Sequence, residues 1–143
     1  MSSPEEDVFS AETYQLIGAG MEVCNTFGPG FLESVYRDAL EVECDLRGIS
    51  HEPEVLLRVY YKDVPLPGYF RADLVCFRKI IVELKVKKML GKEDEAQLLH
   101  YLKATGARAG LLCNFGNPRK FEWKRMVYSD SRYVLSRAGS SEE

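Results

Sequence analysis

Apolar positions along this chain follow a helical period first and a strand period afterwards. Over residues 10–27, Tyr14, Ile17, Met21 and Cys24 recur every three or four positions and predict a helix. Gly28-Pro29-Gly30 breaks it. A second helix is expected over about 31–47, with Leu32, Val35, Ala39, Val42 and Leu46 as its core stripe and Gly48 as its C-cap. Glu33 and Tyr36, three apart, share a face beside that stripe. Strands are expected at 49–61, 68–77 and 79–87, with turns at Lys62-Asp63 and Arg78-Lys79. A helix over 92–105, ended by Gly106, leads to strands at 109–115 and 121–128. The passage from 79 to 115 is long enough to cross over between parallel strands, and the hairpin before it makes the sheet mixed. The expectation is an α/β sandwich with helices on both faces. A single domain, 9–137, lies between two polar tails, 1–8 and 138–143.

Two of the expected strands carry charge where apolar residues dominate. One reads Tyr69-Phe70-Arg71-Ala72-Asp73-Leu74-Val75-Cys76-Phe77, the other Ile80-Ile81-Val82-Glu83-Leu84-Lys85-Val86. A buried ionised group costs several kcal/mol unless it is paired or bound to a metal. Alternation puts Ile80, Val82, Leu84 and Val86 on one face, and Ile81, Glu83, Lys85 and Lys87 on the other. Asp73 shares its face with Arg71 and Val75. A turn centred on Arg78-Lys79 sets Glu83 opposite position 74 and Asp73 near Lys85, so the acids converge within one residue of register. Two carboxylates and a backbone carbonyl suit a hard cation, Mg²⁺ or Mn²⁺, and Lys85 suits a developing phosphate charge. The alternative is a salt-bridged cluster that orders the hairpin. Glu33, after the Gly-Pro-Gly break, can join the site directly or through water. Gln97 and Tyr101, one helical turn apart, can contact phosphate or orient Lys85. Arg71, Lys87, Lys88, Tyr36 and Tyr101 are the candidate substrate contacts.

Composition narrows the classes. With 143 residues and 45% hydrophobic content, the chain can bury a real core. No apolar run approaches the roughly 20 residues of a membrane span, and the acidic start predicts no secretory leader. Four cysteines without a CxxC pair give a zinc site little support and read as reduced thiols of a cytoplasmic protein. Net charge is −3, which argues against strong non-specific nucleic-acid binding. The charge is uneven, however. Residues 71–92 hold seven Lys and Arg against Asp73 and Glu83. Such a face can meet a phosphate backbone or be plain solvated surface.

Gly30-Phe31-Leu32-Glu33-Ser34-Val35-Tyr36 resembles the motif that names the GxxExxY proteins, a branch of the PD-(D/E)XK nuclease superfamily. The resemblance runs over about residues 10–125. It takes in Ala72-Asp73-Leu74, Val82-Glu83-Leu84-Lys85, Ala96-Gln97-Leu98-Leu99 and Tyr101-Leu102. It implies a restriction-endonuclease-like core, Asp73, Glu83 and Lys85 as the metal and catalytic trio, Glu33 as the helical acid, and Gln97 with Tyr101 as accessory residues. It departs from the family pattern at Cys24 and Asp94, where histidine often stands, and at His100, where asparagine does. The implied activity is Mg²⁺- or Mn²⁺-dependent phosphodiester hydrolysis, on DNA ahead of RNA. One site cuts one strand, so concerted cutting of a duplex would need a homodimer. The competing readings are a catalytically silent nucleic-acid- or protein-binding module and a purely structural role.

Overall fold

The structure, a computed structural model, describes the backbone of residues 4–128 and the side chains from residue 11 onward. Residues 1–3 and 129–143 lie outside it, and with them the tail 138–143 and the end of the expected domain. The elements are α1 (Pro4–Phe27), α2 (Glu33–Arg47), β1 (His51–Tyr61), β2 (Val64–Cys76), β3 (Ile80–Lys85), α3 (Lys92–Thr105), β4 (Ala109–Asn114) and β5 (Glu122–Val127). α1 starts at Pro4, inside the segment 1–8 read as a tail. The sheet order is β1-β2-β3-β4-β5. β3 and β4 are parallel, joined through α3, and every other neighbouring pair is antiparallel. The sheet is therefore mixed, as expected.

Each face of the sheet has its own core. Leu74, Ile80, Val82, Leu84 and Leu111 pack with Leu16, Val23, Tyr36 and Leu40 of α1 and α2. Val75, Ile81 and Leu112 pack with Leu98 and Leu102 of α3. β3 lies between β2 and β4, and Ile80 through Leu84 are all buried. That is why the strand reads as a near-continuous apolar run. Gly48 takes φ 71° and closes α2, with its N–H on the Asp45 carbonyl. Lys62 and Asp63, at φ 48° and 69°, make the two-residue turn expected there.

Three expectations need correction. In α1 the buried line is Thr13, Leu16, Ile17, Val23 and Cys24, while Tyr14 and Met21 are exposed. In α2 it is Tyr36, Leu40 and Cys44, while Leu32, Val42 and Leu46 are exposed. A count of apolar residues alone does not locate the buried face. Tyr36 and Cys44, only partly apolar in character, are the ones that fill the space against the sheet. The β2–β3 turn is centred on Phe77-Arg78, at φ 55° and 62°, not on Arg78-Lys79. The Lys79 N–H closes it on the Cys76 carbonyl. This moves the register by one residue, and Leu74 pairs with Val82.

Candidate active site

The shifted register decides the site. β2 and β3 pair as Cys76–Ile80, Val75–Ile81 and Leu74–Val82, and the ladder stops there. The next two residues are Asp73 and Glu83, directly opposite. Their carboxylates take over the ladder. Glu83 Oε1 accepts from the Asp73 N–H at 3.0 Å, and Asp73 Oδ2 accepts from the Leu84 N–H at 2.8 Å. Strict alternation also fails here. Ala72 packs on the α3 side, Leu74 on the α1/α2 side and Val75 on the α3 side again. The β1–β2 pairing skips the same level, where Glu54 has φ 49°. β2 thus bends away from β3 at Asp73, and a cavity of ≈ 620 Å³ opens beside the two acids.

Glu33, Arg71, Asp73, Glu83, Lys85, Gln97 and Tyr101 all line this cavity. The Lys85 ammonium donates to Gln97 Oε1 at 3.1 Å and stands 3.9 Å from Asp94 Oδ1. Glu33 reaches the cavity because of the loop before it. The Tyr36 hydroxyl donates to the Gly28 carbonyl and accepts from the Phe31 N–H. Its ring stacks on Phe115. Gly28 and Gly30 take φ 68° and 122°, which suits glycine. Tyr36, expected among the substrate contacts, is instead fully buried and clamps the loop that aims Glu33.

Two other expected contacts are elsewhere. β3 ends at Lys85, so alternation no longer sends Lys87 to the face of Glu83. Lys87 Nζ pairs with Asp94 Oδ2 at 2.8 Å instead. Lys88 is exposed and does not line the cavity. Four further residues, Arg37, Glu54, Asp94 and His100, lie near the site without having been expected to act there. Arg37 Nη1 is 3.6 Å and Arg71 Nη1 3.3 Å from the same Glu54 oxygen. His100 lines the cavity, and Asp94 approaches Lys85. Spacing held a signal for two of them: Arg37 is one helical turn from Glu33, and His100 one turn from Gln97.

The acids are electrostatically frustrated. Burial and the Asp73 charge push Glu83, only 9% exposed, up to about 8, against the pull of the Asp73 N–H and Lys85. Burial raises Asp73 as well, opposed by the Leu84 N–H, Arg37 and Lys85. Glu33, at the exposed rim, is raised by partial burial and by Asp73. Among the described residues no three His, Cys, Asp or Glu side chains form a closed metal cage. An open pair of carboxylates is still a fitting donor set for Mg²⁺ or Mn²⁺. Such ions keep several waters and are held by one or two carboxylates plus substrate phosphate.

Residues 10–126 match a family model described as the PD-(D/E)XK nuclease superfamily. No curated protein matches the chain. Among solved structures the chain is similar to the crystal structure of SSO0001, with a TM-score of 0.52 and 20% identity. The likeness covers 66% of this chain and 50% of that one, so this chain spans about half the length of that protein, and what they share is the fold. Among the described residues no helix is long and apolar enough to cross a membrane.

Proposed function

Because the chain belongs to the PD-(D/E)XK nuclease superfamily, we propose that it hydrolyses phosphodiester bonds in nucleic acid, DNA ahead of RNA, using Mg²⁺ or Mn²⁺. The observation that carries this reading is the pairing of Asp73 with Glu83 where the ladder opens, beside Lys85 in one cavity. The motif Gly30 to Tyr36, with its buried tyrosine clamp, supports the finer placement in the GxxExxY branch.

Asp73 and Glu83 would hold the cation, with Glu33 contributing from the rim. When bound, the cation supplies Lewis acidity at a phosphate oxygen and a more acidic water. To hold that ion Glu83 would have to be ionised, its proton passing to solvent. Lys85, steered by Gln97, donates to the attacking water and offsets negative charge gathering on the phosphate. Arg71 can trade its partner Glu54 for a phosphate oxygen. The reading carries a cytoplasmic setting, in which the four buried thiols stay reduced.

The test is cleavage of labelled single- and double-stranded DNA with Mg²⁺ or Mn²⁺, comparing wild type with Lys85→Ala and Asp73→Asn. Metal-dependent cleavage lost in both variants supports the reading. Binding without turnover points to a silent binding module, and equal cleavage by all three proteins rejects the site.

A further inference from the structure

The cavity is lined by side chains of two kinds. Glu33, Asp73, Glu83 and Lys85 are charged, whereas Val59, Tyr69, Phe70, Tyr101 and Ala104 are apolar or aromatic. The second set is not needed to grip a cation or a phosphate. It is nevertheless well made. Tyr101 is stacked on Phe70, ring centroids 3.7 Å apart and planes 22° from parallel, so its ring is fixed. Tyr69, the neighbour of Phe70 on β2, also lines the cavity and is 55% exposed. The β1–β2 arm continues past the last β2–β3 pair, so it stands free of β3 there. Its ladder is irregular at the lip. Arg58 pairs with Tyr69, but Tyr60 pairs with Pro65, leaving Val59 against a three-residue excursion. Irregularities of this kind re-aim side chains beside active sites.

We propose that the aromatic lining, with Tyr69 as its exposed ring, seats one unpaired nucleobase, so that the strand reaching Asp73 and Glu83 is single-stranded or splayed at that point. The proposal rests on the nucleic-acid reading above and names its substrate class. A nucleotide's phosphate seeks cations and donors, and its sugar gains little from rings. The base gains from an aromatic face. In an intact duplex the base is already stacked and paired, and withdrawing it is costly. Charge points the same way. A net charge of −3 does not favour gripping the long backbone of a duplex, and Lys87 already pairs with Asp94.

The test is equilibrium binding in Mg²⁺ by the full chain carrying Lys85→Ala, which keeps turnover off. The probes are a single strand with 2-aminopurine at the expected seat, the same strand with an abasic site there, and the matching duplex. The single strand should bind at least about tenfold tighter than the duplex and show a change in 2-aminopurine fluorescence. Adding Tyr69→Ala should weaken single-strand binding by roughly tenfold, and Tyr69→Phe should restore it. On the abasic strand Tyr69→Ala should change nothing further, because the base it would stack on is gone. Equal or tighter duplex binding, no measurable single-strand binding, or equal Tyr69→Ala losses with and without the base would overturn the seat. The two readings separate cleanly. Base-dependent binding by a wild type that never cleaves keeps the seat and sinks the nuclease. Duplex cleavage untouched by Tyr69→Ala keeps the nuclease and sinks the seat.

Discussion

Two clusters of carboxylates lie on either side of Lys85, and they are opposite in character. In one, Glu122 Oε1 accepts from the Leu90 N–H, the Asn114 amide and the Asn117 amide. Asp94 Oδ2 accepts from the Gly91 N–H and Lys87 Nζ, both at 2.8 Å. Burial pushes both acids up, but these donors outweigh it and hold them below the usual carboxylate range. In the other cluster, Asp73 and Glu83 each have one backbone donor and both are pushed up, Asp73 by burial and Glu83 by burial and the Asp73 charge. The first cluster is complete within the chain. It ties the segment after β3 to β4, α3 and β5. In the second, Arg37 and Lys85 do not offset the burial, which is the imbalance a bound cation would relieve.

The comparison breaks if the clusters respond alike to substitution. The largest contrast is expected in cleavage. Lys85→Ala and Asp73→Asn should each lower the rate by roughly 1,000-fold, with circular dichroism unchanged. Lys87→Ala, in the complete cluster, should stay within about threefold of wild type. If Lys87→Ala costs as much as Lys85→Ala, the division of labour is wrong.

Stability should move in opposite directions. Glu122→Ala strips partners from a buried amide and two backbone or side-chain donors, and should cost about 2 kcal/mol, a Tm loss of roughly 5 °C. Glu83→Gln should raise the Tm of the metal-free protein at pH 8 by a few degrees. The pH dependence follows. Glu83 rises from 4.5 to about 8 on folding, so between those values the folded chain keeps a proton that the unfolded chain has lost. Metal-free stability therefore falls as pH rises across that window, and Asp73 and Glu33 add to the slope with the same sign. Asp94 and Glu122 are lowered, so their contribution is present above their ordinary values and is lost only on further acidification. Melts from pH 5 to 8 should decline for wild type and be flatter for Glu83→Gln. A slope unchanged by the substitution would detach Glu83 from the effect. The smallest shift is expected from the ion itself. Millimolar Mn²⁺ should raise the wild-type Tm by a few degrees through mass action, and leave Asp73→Asn unmoved.

The order and type of every described element can be read from periodicity and from breakers such as Gly28-Pro29-Gly30, Lys62-Asp63 and Gly106. Which helical face is buried cannot be read that way. Leu32 and Leu46 carry the apolar signal, whereas Tyr36 and Cys44 fit against the sheet. The register was out of reach for a related reason, because nothing local marks Phe77 and Arg78 as residues that will take positive φ. Among the site residues, strand alternation is enough to bring Glu83 and Lys85 together. Alternation does not carry as far as Lys87, because β3 stops two residues short of it. Arg37 and Glu54 meet across α2 and β1, a contact that exists only once the tertiary fold is formed.

The central claim is that Asp73 and Glu83 together hold one divalent cation. The direct measurement is anomalous diffraction from crystals of the protein soaked in Mn²⁺. The account predicts a peak within bonding distance of both carboxylates, on the cavity side of the opened ladder and close to Lys85. A Mn²⁺ peak only at other carboxylates, or none in crystals that leave the cavity open to solvent, would contradict it.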